Sequence, residues 1–294
     1  MAYGEEVLLG CFVYMWYGYP TGGWGTTHWG DNCEDHVRLK PKLGYYYSGD
    51  ADVIDQHIQW LEDASVNFAI LSCFYTGDPF APDYTYDVAQ LWRDALPVDL
   101  NFCIMAEGHN SDHPFGVAQA DYIWTNFAQH ARYQKWKEGG VERPLIIVPG
   151  TGTYTDARFW IRYLTAEGKR DECVWAYVPG APANNGLAET AYDYDGNIAE
   201  QHEACTIVVG FDDRARYKQG AYKSITYRPK SLQRYSDDWL TAGRVGTRAV
   251  LLTSFNEWHE ESCLEPCDPQ EIHGWGEEYI QATKFHSGES KQGA

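Results

Sequence analysis

Short, unbroken apolar runs recur along the chain, separated by longer amphipathic or polar stretches. They run from Val7 to Tyr14, Asn67 to Phe74, Leu100 to Met105, Pro144 to Val148, Cys173 to Val178, Cys205 to Val209 and Ala249 to Phe255. Continuous apolar character, in place of alternation, is what parallel strands covered on both faces require. Between the runs lie helical patterns. From Asp52 to Ser65, the residues Val53, Ile54, His57, Ile58, Leu61 and Ala64 share one face at helical spacing, with Asp50 or Asp52 placed to cap the start. Further helices are predicted over Tyr86 to Ala95, Gly116 to Trp136, Thr155 to Glu167 and Lys230 to Ala242.

Strand and helix alternate, which predicts an α/β fold with a parallel sheet. Right-handed crossovers that close on themselves give a (β/α)8 TIM-type barrel, and 294 residues suit one such domain with long βα loops. Seven strands are legible. The eighth is expected near Ser224 to Tyr227 or after Glu265. Residues 1–285 are assigned to the barrel and 286–294 to a loosely held polar tail. Two irregular stretches, Gly18 to Gly49 and Pro179 to Asn197, are long for connections in a compact domain, a length usual for functional or disordered loops, and the aromatic density of the first argues against disorder.

Charge and composition then narrow the partners. The formal net charge is −19, from 42 acidic against 23 basic side chains. Such a field repels nucleic acid and anionic membranes, so neither is expected as a partner. No window approaches the roughly 20 apolar residues of a membrane span. No basic segment followed by an apolar stretch opens the chain, so a cytoplasmic location is expected, or an extracellular one if a leader has been removed. Of eight cysteines, Cys11, Cys73, Cys103, Cys173 and Cys205 lie in or beside apolar runs and read as buried thiols. His259, Cys263 and Cys267 are spaced by four, but without a second tight ligand pair no metal is expected. A local Cys263–Cys267 disulfide stays open.

The chemistry gathers at the carboxyl ends of the predicted strands, where barrel enzymes place their functional groups. After Ala249 to Phe255 comes Asn256-Glu257-Trp258-His259-Glu260. If the strand ends near Phe255 and the chain curls, Glu257 and Glu260 can face one cavity. Two carboxyls, one protonated and one ionised, are the minimal equipment for glycoside cleavage. The plain alternative is a solvated acidic turn after a core strand. The first strand ends in Tyr14-Met15-Trp16-Tyr17-Gly18, and its loop carries Trp24, His28, Trp29 and Tyr46. Flat rings with polar tips suit sugars, though the same rings can serve as core. Glu107 follows the third strand, as a site carboxyl or a loop-bonded one. Phe211-Asp212-Asp213-Arg214 follows the sixth, where an Asp–Arg structural pair competes with a ligand contact. Phosphate-cradling glycine loops and the Gly-x-Ser-x-Gly elbow are absent, and no cofactor is expected.

Several of these blocks together resemble glycoside hydrolase family 99. They are Tyr14 to Gly18, Trp24 with His28-Trp29, Leu43-Gly44-Tyr45, Val53-Ile54-Asp55 with His57-Ile58 and Trp60, and Ser254 to Glu260 with Glu265-Pro266. WbsX-like sugar-processing proteins share part of the pattern. The resemblance implies a (β/α)8 barrel that cleaves α-mannosides inside a chain, with retention and without a metal. It also implies that the sugar's own 2-hydroxyl attacks the anomeric carbon, giving a 1,2-anhydro sugar. Glu257 then matches the base acting on that hydroxyl, and Glu260 the acid and base at the glycosidic oxygen. Tyr14, Trp16, Tyr17, Trp24, His28, Trp29, Tyr46, Glu107, Phe211, Asn256, Trp258 and His259 form the expected sugar-binding set. The chain departs from the family at Glu261, where a glycine is usual, at Ser262-Cys263-Leu264, and at Phe211, where a tyrosine is expected.

The reading that follows is a retaining endo-glycosidase whose partner is an oligo- or polysaccharide. Two rivals are a WbsX-like glycan-assembling transferase, which needs a nucleotide-sugar site not evident here, and a silent glycan-binding protein, which has no need of two carboxylates.

Overall fold

A computed structural model describes residues 7–18, 29, 39–76, 81–82, 84–107, 121–138, 141–148, 174–177, 190–191, 204–212, 227–228, 230–245, 248–270 and 274–292. Parallel strands occupy all seven apolar runs. In chain order the strands are β1 (Leu8–Tyr14), β2 (Phe68–Thr76), β3 (Ala81–Pro82), β4 (Asn101–Glu107), β5 (Lys135–Glu138), β6 (Val141–Val148), β7 (Val174–Tyr177), β8 (Thr190–Ala191), β9 (Ala204–Val208), β10 (Phe211–Asp212), β11 (Tyr227–Arg228) and β12 (Ala249–Thr253).

The parallel path runs β8-β7-β6-β4-β2-β1-β12-β9, and its two end strands, β8 and β9, touch. Eight parallel strands in this order make the (β/α)8 barrel. The eighth strand is therefore Thr190–Ala191, inside the stretch read as irregular, and not at either expected place. Two residues are too short to leave an apolar run. Of Ser224 to Tyr227 only Tyr227 lies within the described residues; it opens β11, which pairs antiparallel with β10 away from the barrel path. The described residues after Glu265 hold a helix and no barrel strand.

Four helices are described: α1 (Ala51–Asp63), α2 (Tyr84–Ala95), α3 (Leu232–Val245) and α4 (Glu278–Gln292). Asp50 caps α1, its carboxylate accepting from the Asp52 and Val53 amides. Of the predicted face, Ile54, His57, Ile58, Leu61 and Ala64 are buried and Val53 is half-buried, and Trp60 is buried with them. Each of the large apolar members contributes roughly 1.5–3 kcal/mol, and the one polar member, His57, points to the site. The helix expected from Gly116 to Trp136 ends early: after a π-turn over Trp124–Ala128 the chain enters β5, a hairpin partner of β6. There Lys135, Trp136 and Lys137 alternate exposed, buried, exposed, a period of two inside a stretch read as helical. Thr155 to Glu167 lies outside the described residues. The polar stretch from His286, expected to be loose, is helical to Gln292. His286 stacks on Trp239 at 5.9 Å and meets Ser236 Oγ at 3.0 Å.

Among the described residues, no helix is long and apolar enough to cross a membrane. Cys11, Cys73, Cys103, Cys205, Cys263 and Cys267 are buried free thiols, so Cys263 and Cys267 are not paired with each other. The Cys267 sulfur accepts from the Trp275 amide at 2.8 Å.

Candidate active site

β12 stops at Thr253, and the next twelve residues fold back as a closed loop. Ser254 N donates to Ser262 O (2.6 Å), Leu264 N to Ser254 O (2.8 Å) and Glu265 N to Phe255 O (2.6 Å). The two legs are thus bonded like strands while residues 256–261 form the tip. Phe255 N donates to Phe12 O (2.7 Å), which ties the inner leg to β1. The strand therefore ends before the two glutamates, and both lie on the tip, where the period-two alternation of a strand no longer applies.

Within the tip, Glu257 is 3% exposed and Glu260 half-buried. Glu257 Oε1 accepts from the His259 amide at 3.0 Å and meets His259 Nδ1 at 3.2 Å, while the Glu257 amide donates to Ser254 Oγ at 2.8 Å. The Glu260 backbone is held from the other side, its carbonyl accepting from Asp212 N at 2.6 Å. One carboxyl is therefore buried and fixed, the other more open to water.

Glu107, at the end of β4, joins this group. Its carboxylate accepts a short hydrogen bond from Ser72 on β2. Burial pushes its pKa up to about 7, against the lowering effect of the Ser72 hydroxyl, and the negative charge of Glu257 adds to the rise. Carboxyls from β4 and β12 therefore feel each other across the barrel mouth.

The aromatics at the end of β1 divide by depth. Tyr17 is fully buried; its hydroxyl donates to Asn256 O (2.9 Å) and accepts from Trp258 N (3.0 Å), so it braces the tip from behind. Its ring stacks on Trp29 at 4.2 Å and lies near-parallel to His259 at 5.7 Å. Trp29 is half-buried, donates to Tyr46 O at 2.6 Å, and carries the half-exposed Tyr45 at 5.0 Å on a tilted plane. Trp16, also half-buried, packs between Tyr14 (4.6 Å) and Phe74 (5.3 Å). Gly18, at φ 70, leaves no space for a side chain, because a Cβ would overlap the Tyr46 carbonyl. That close approach packs the Tyr46 segment against the strand end.

In four residues expected to touch sugar the side-chain polar group is bonded within the protein. Besides Tyr17, Asn256 is buried, its side chain clamping the Tyr14 backbone at N (2.7 Å) and O (2.8 Å). Trp258 is fully buried and stacks on Trp275 at 5.7 Å, and Tyr46 turns its hydroxyl inward. Phe211 is half-buried in the β10–β11 hairpin, opposite Arg228. Trp24 and His28 lie outside the described residues.

Sequence reasoning missed what the inward-turned groups converge on. Glu265 is fully buried; its Oε2 accepts from Trp258 Nε1 (2.6 Å) and Tyr46 OH (2.7 Å), and its Oε1 meets His57 Nε2 of α1 at 3.1 Å. Two signals were available: a carboxylate directly after the apolar Cys263-Leu264, and one titratable side chain on the apolar face of α1. Neither is explained by core packing alone. On the outer side, Lys230 donates to the Cys263 carbonyl and lies 3.5 Å from the centre of the Trp275 ring. Glu261 takes a φ of 49°, which accounts for a glycine being usual there. Among the described residues no cluster of His, Cys, Asp and Glu suits a metal.

No family model matches the chain. A curated relative, glycoprotein endo-alpha-1,2-mannosidase of Xenopus laevis, is 22% identical over 337 residues, spanning 89% of this chain and 70% of its own length. A GH99 endo-alpha-mannosidase structure from Bacteroides thetaiotaomicron, in complex with bis-tris-propane, superposes with a TM-score of 0.73 at 20% identity, covering 98% of each chain. A second structure of that name and organism gives 0.74 at 18% identity, covering 98% of this chain and 99% of that one. A glycoside hydrolase-like protein follows at 0.65 and 13%, covering 97% and 95%. The resemblance to glycoside hydrolase family 99 read from the motifs is thus met by a relative along most of the sequence and by solved GH99 structures in the fold.

Proposed function

We propose that this chain is a retaining, endo-acting glycoside hydrolase that cleaves α-mannosidic or related linkages in a polysaccharide, with Glu257 and Glu260 as its carboxyl pair. The observation that carries the reading is the loop tip after β12. It carries a buried glutamate gripped by His259 and, three residues on, a half-buried one, after the last strand of a barrel. The endo-alpha-mannosidase names of the relative and of the structural neighbours support it.

Glu257 takes the proton of the substrate 2-hydroxyl as that oxygen attacks the anomeric carbon. The bond to the departing oxygen breaks, and Glu260 supplies its proton. Water then enters with Glu260 as base and opens the 1,2-anhydro ring, Glu257 returning a proton to the 2-oxygen. Both carboxyls end as they began, and two inversions at the anomeric carbon give retention. His259 holds Glu257 in one rotamer throughout, which keeps its basic oxygen aimed. Glu107, with a pKa near neutrality, is placed to donate a hydrogen bond to a sugar hydroxyl when protonated. Tyr45, half-exposed and backed by Trp29, gives a ring face for the sugar.

The test is an activity screen over α-mannans and other microbial polysaccharides with product sizing, using the parent, Glu257→Gln and Glu260→Gln. Oligosaccharide products from the parent and a loss of several orders of magnitude in each variant are expected. Near-normal turnover in either variant would remove its role. A folded parent that binds glycans and cleaves none would instead be a silent binding protein.

A further inference from the structure

The buried carboxylate of Glu265 lies at the root of the loop whose tip carries Glu257, and its partners come from three separate segments. They are Trp258 in the tip, Tyr46 in the loop after β1, and His57 on α1. Trp258 and Asn256 are the two chain neighbours of Glu257. Trp258 bonds Glu265 directly at 2.6 Å; Asn256 reaches it through Tyr46, its Nδ2 donating to the Tyr46 hydroxyl at 3.3 Å. Both side chains turn inward. The residue between them, Glu257, is bonded instead to His259 within the tip.

We infer that Glu265 is a positioning residue for Glu257, fixing its backbone through Trp258 on one side and through Tyr46 and Asn256 on the other, with His57 anchoring the carboxylate to α1. The inference rests on the reading of Glu257 as the base. A packing role alone is a poor account of Glu265, because burying a carboxylate is unfavourable by several kcal/mol before its partners offset it and an apolar side chain fills a core more cheaply. What the carboxylate adds is direction. An indole N–H and a phenol O–H converge on one of its oxygens, so the two neighbours of Glu257 are held in one register. Misplacing a reacting group by about 1 Å lowers the rate on the order of a hundredfold, so small errors at the tip are read out in turnover.

The experiment measures kcat, KM and thermal midpoint for Glu265→Gln and Tyr46→Phe, each alone and combined with Glu257→Gln, on an aryl glycoside reactive enough to follow the slowest variant. Tyr46→Phe removes one hydroxyl and little volume, so it serves even where Glu265→Gln folds poorly. The expected result is a kcat lower by about tenfold or more in each single variant, with KM within about twofold. In the Glu257→Gln background neither change should lower the rate further, because a residue that acts through Glu257 has nothing left to position. A purely structural role would shift the thermal midpoint and leave kcat of the folded fraction intact. Normal kcat in both variants, or losses that multiply with Glu257→Gln, overturns the inference while the glycosidase reading stands. Near-normal turnover of Glu257→Gln itself overturns that reading, and the inference with it.

Discussion

His259 reaches the same oxygen of Glu257 twice, through its amide at 3.0 Å and its ring Nδ1 at 3.2 Å, while the imidazole lies 17° from parallel to Tyr17. The amide bond is a property of the turn and survives any substitution except proline. The ring bond is a property of the side chain. His259→Ala should therefore leave Glu257 held by the amide alone, and lower kcat by about 10–100-fold, well short of the effect of Glu257→Gln. Stability should fall by about 1–2 kcal/mol for the lost bond and packing. Steady-state kinetics beside urea unfolding separate the two; unchanged kcat would show that the ring has no part in aiming the base.

Glu107 makes stability depend on pH in a direction opposite to most surface carboxylates. Its folded pKa is raised, from 4.5 to about 7, chiefly by burial. The folded state thus favours the proton. The contribution is fully present below about pH 4.5, and is lost as pH rises through about 7. Glu107→Gln mimics the protonated form, so it should match the parent near pH 4 and exceed it above neutrality, by on the order of 2–3 kcal/mol. Urea midpoints of both proteins from pH 4 to 8 give the difference directly; a gap that does not grow with pH would contradict it. Glu257→Gln should also lower the Glu107 pKa, since it removes a charge that raises it.

Trp29 and Tyr45 should separate structure from binding. Trp29 is wedged between Tyr17 and Tyr45 and bonded to the Tyr46 carbonyl, so Trp29→Ala should weaken the fold by about 2 kcal/mol as well as oligosaccharide binding by roughly 1–3 kcal/mol. Tyr45 is 49% exposed. Tyr45→Ala should keep the thermal midpoint and still lower affinity for longer oligosaccharides. Calorimetric titration decides, and equal affinity in the Tyr45 variant would confine sugar contact to deeper rings.

Glu261 adopts a φ of 49° at the turn after Glu260. An L-residue in the left-handed region is disfavoured by roughly 1–2 kcal/mol, partly offset because glycine loses more entropy on folding. Glu261→Gly should stabilise by about 0.5–1 kcal/mol, whereas Glu261→Ala, equally strained, should gain little. Equal gains in both would point to charge, not backbone, as the cause.

The extent to which this molecule was legible in sequence follows from length and depth. Strands such as Ala249–Thr253, buried on both faces, leave continuous apolar runs. Thr190–Ala191 is too short to do so and was hidden in a loop. Trp136 was misplaced because an alternating hairpin strand adjoined a helical pattern. Within the site, the position of Glu257 and Glu260 after the last strand was legible from strand-end logic. The inward turn of Trp258 and Tyr46 was not, because amphipathic rings suit a core or a sugar equally well. Their polar atoms meet at Glu265, and the Tyr46 contact, between residues 219 apart in sequence, leaves no local mark.

The proposed participation of the 2-hydroxyl separates this chemistry from attack by an enzyme carboxylate. Back-side displacement at the anomeric carbon requires that hydroxyl to be present and trans to the departing oxygen, as in α-mannosides. An α-glucoside presents it cis, so it should turn over far more slowly. A 2-deoxy or 2-fluoro substrate has no nucleophile of its own and should be nearly inert, yet it should leave no sugar on the protein. A carboxylate nucleophile predicts the reverse for a 2-fluoro glycoside with a good leaving group, since the slowed second step traps a glycosyl-enzyme. Intact-mass measurement after incubation with the 2-fluoro mannoside decides between them. An added mass of one sugar, mapped to Glu257, would replace the participation mechanism with a covalent one and leave the assignment as a retaining glycosidase untouched.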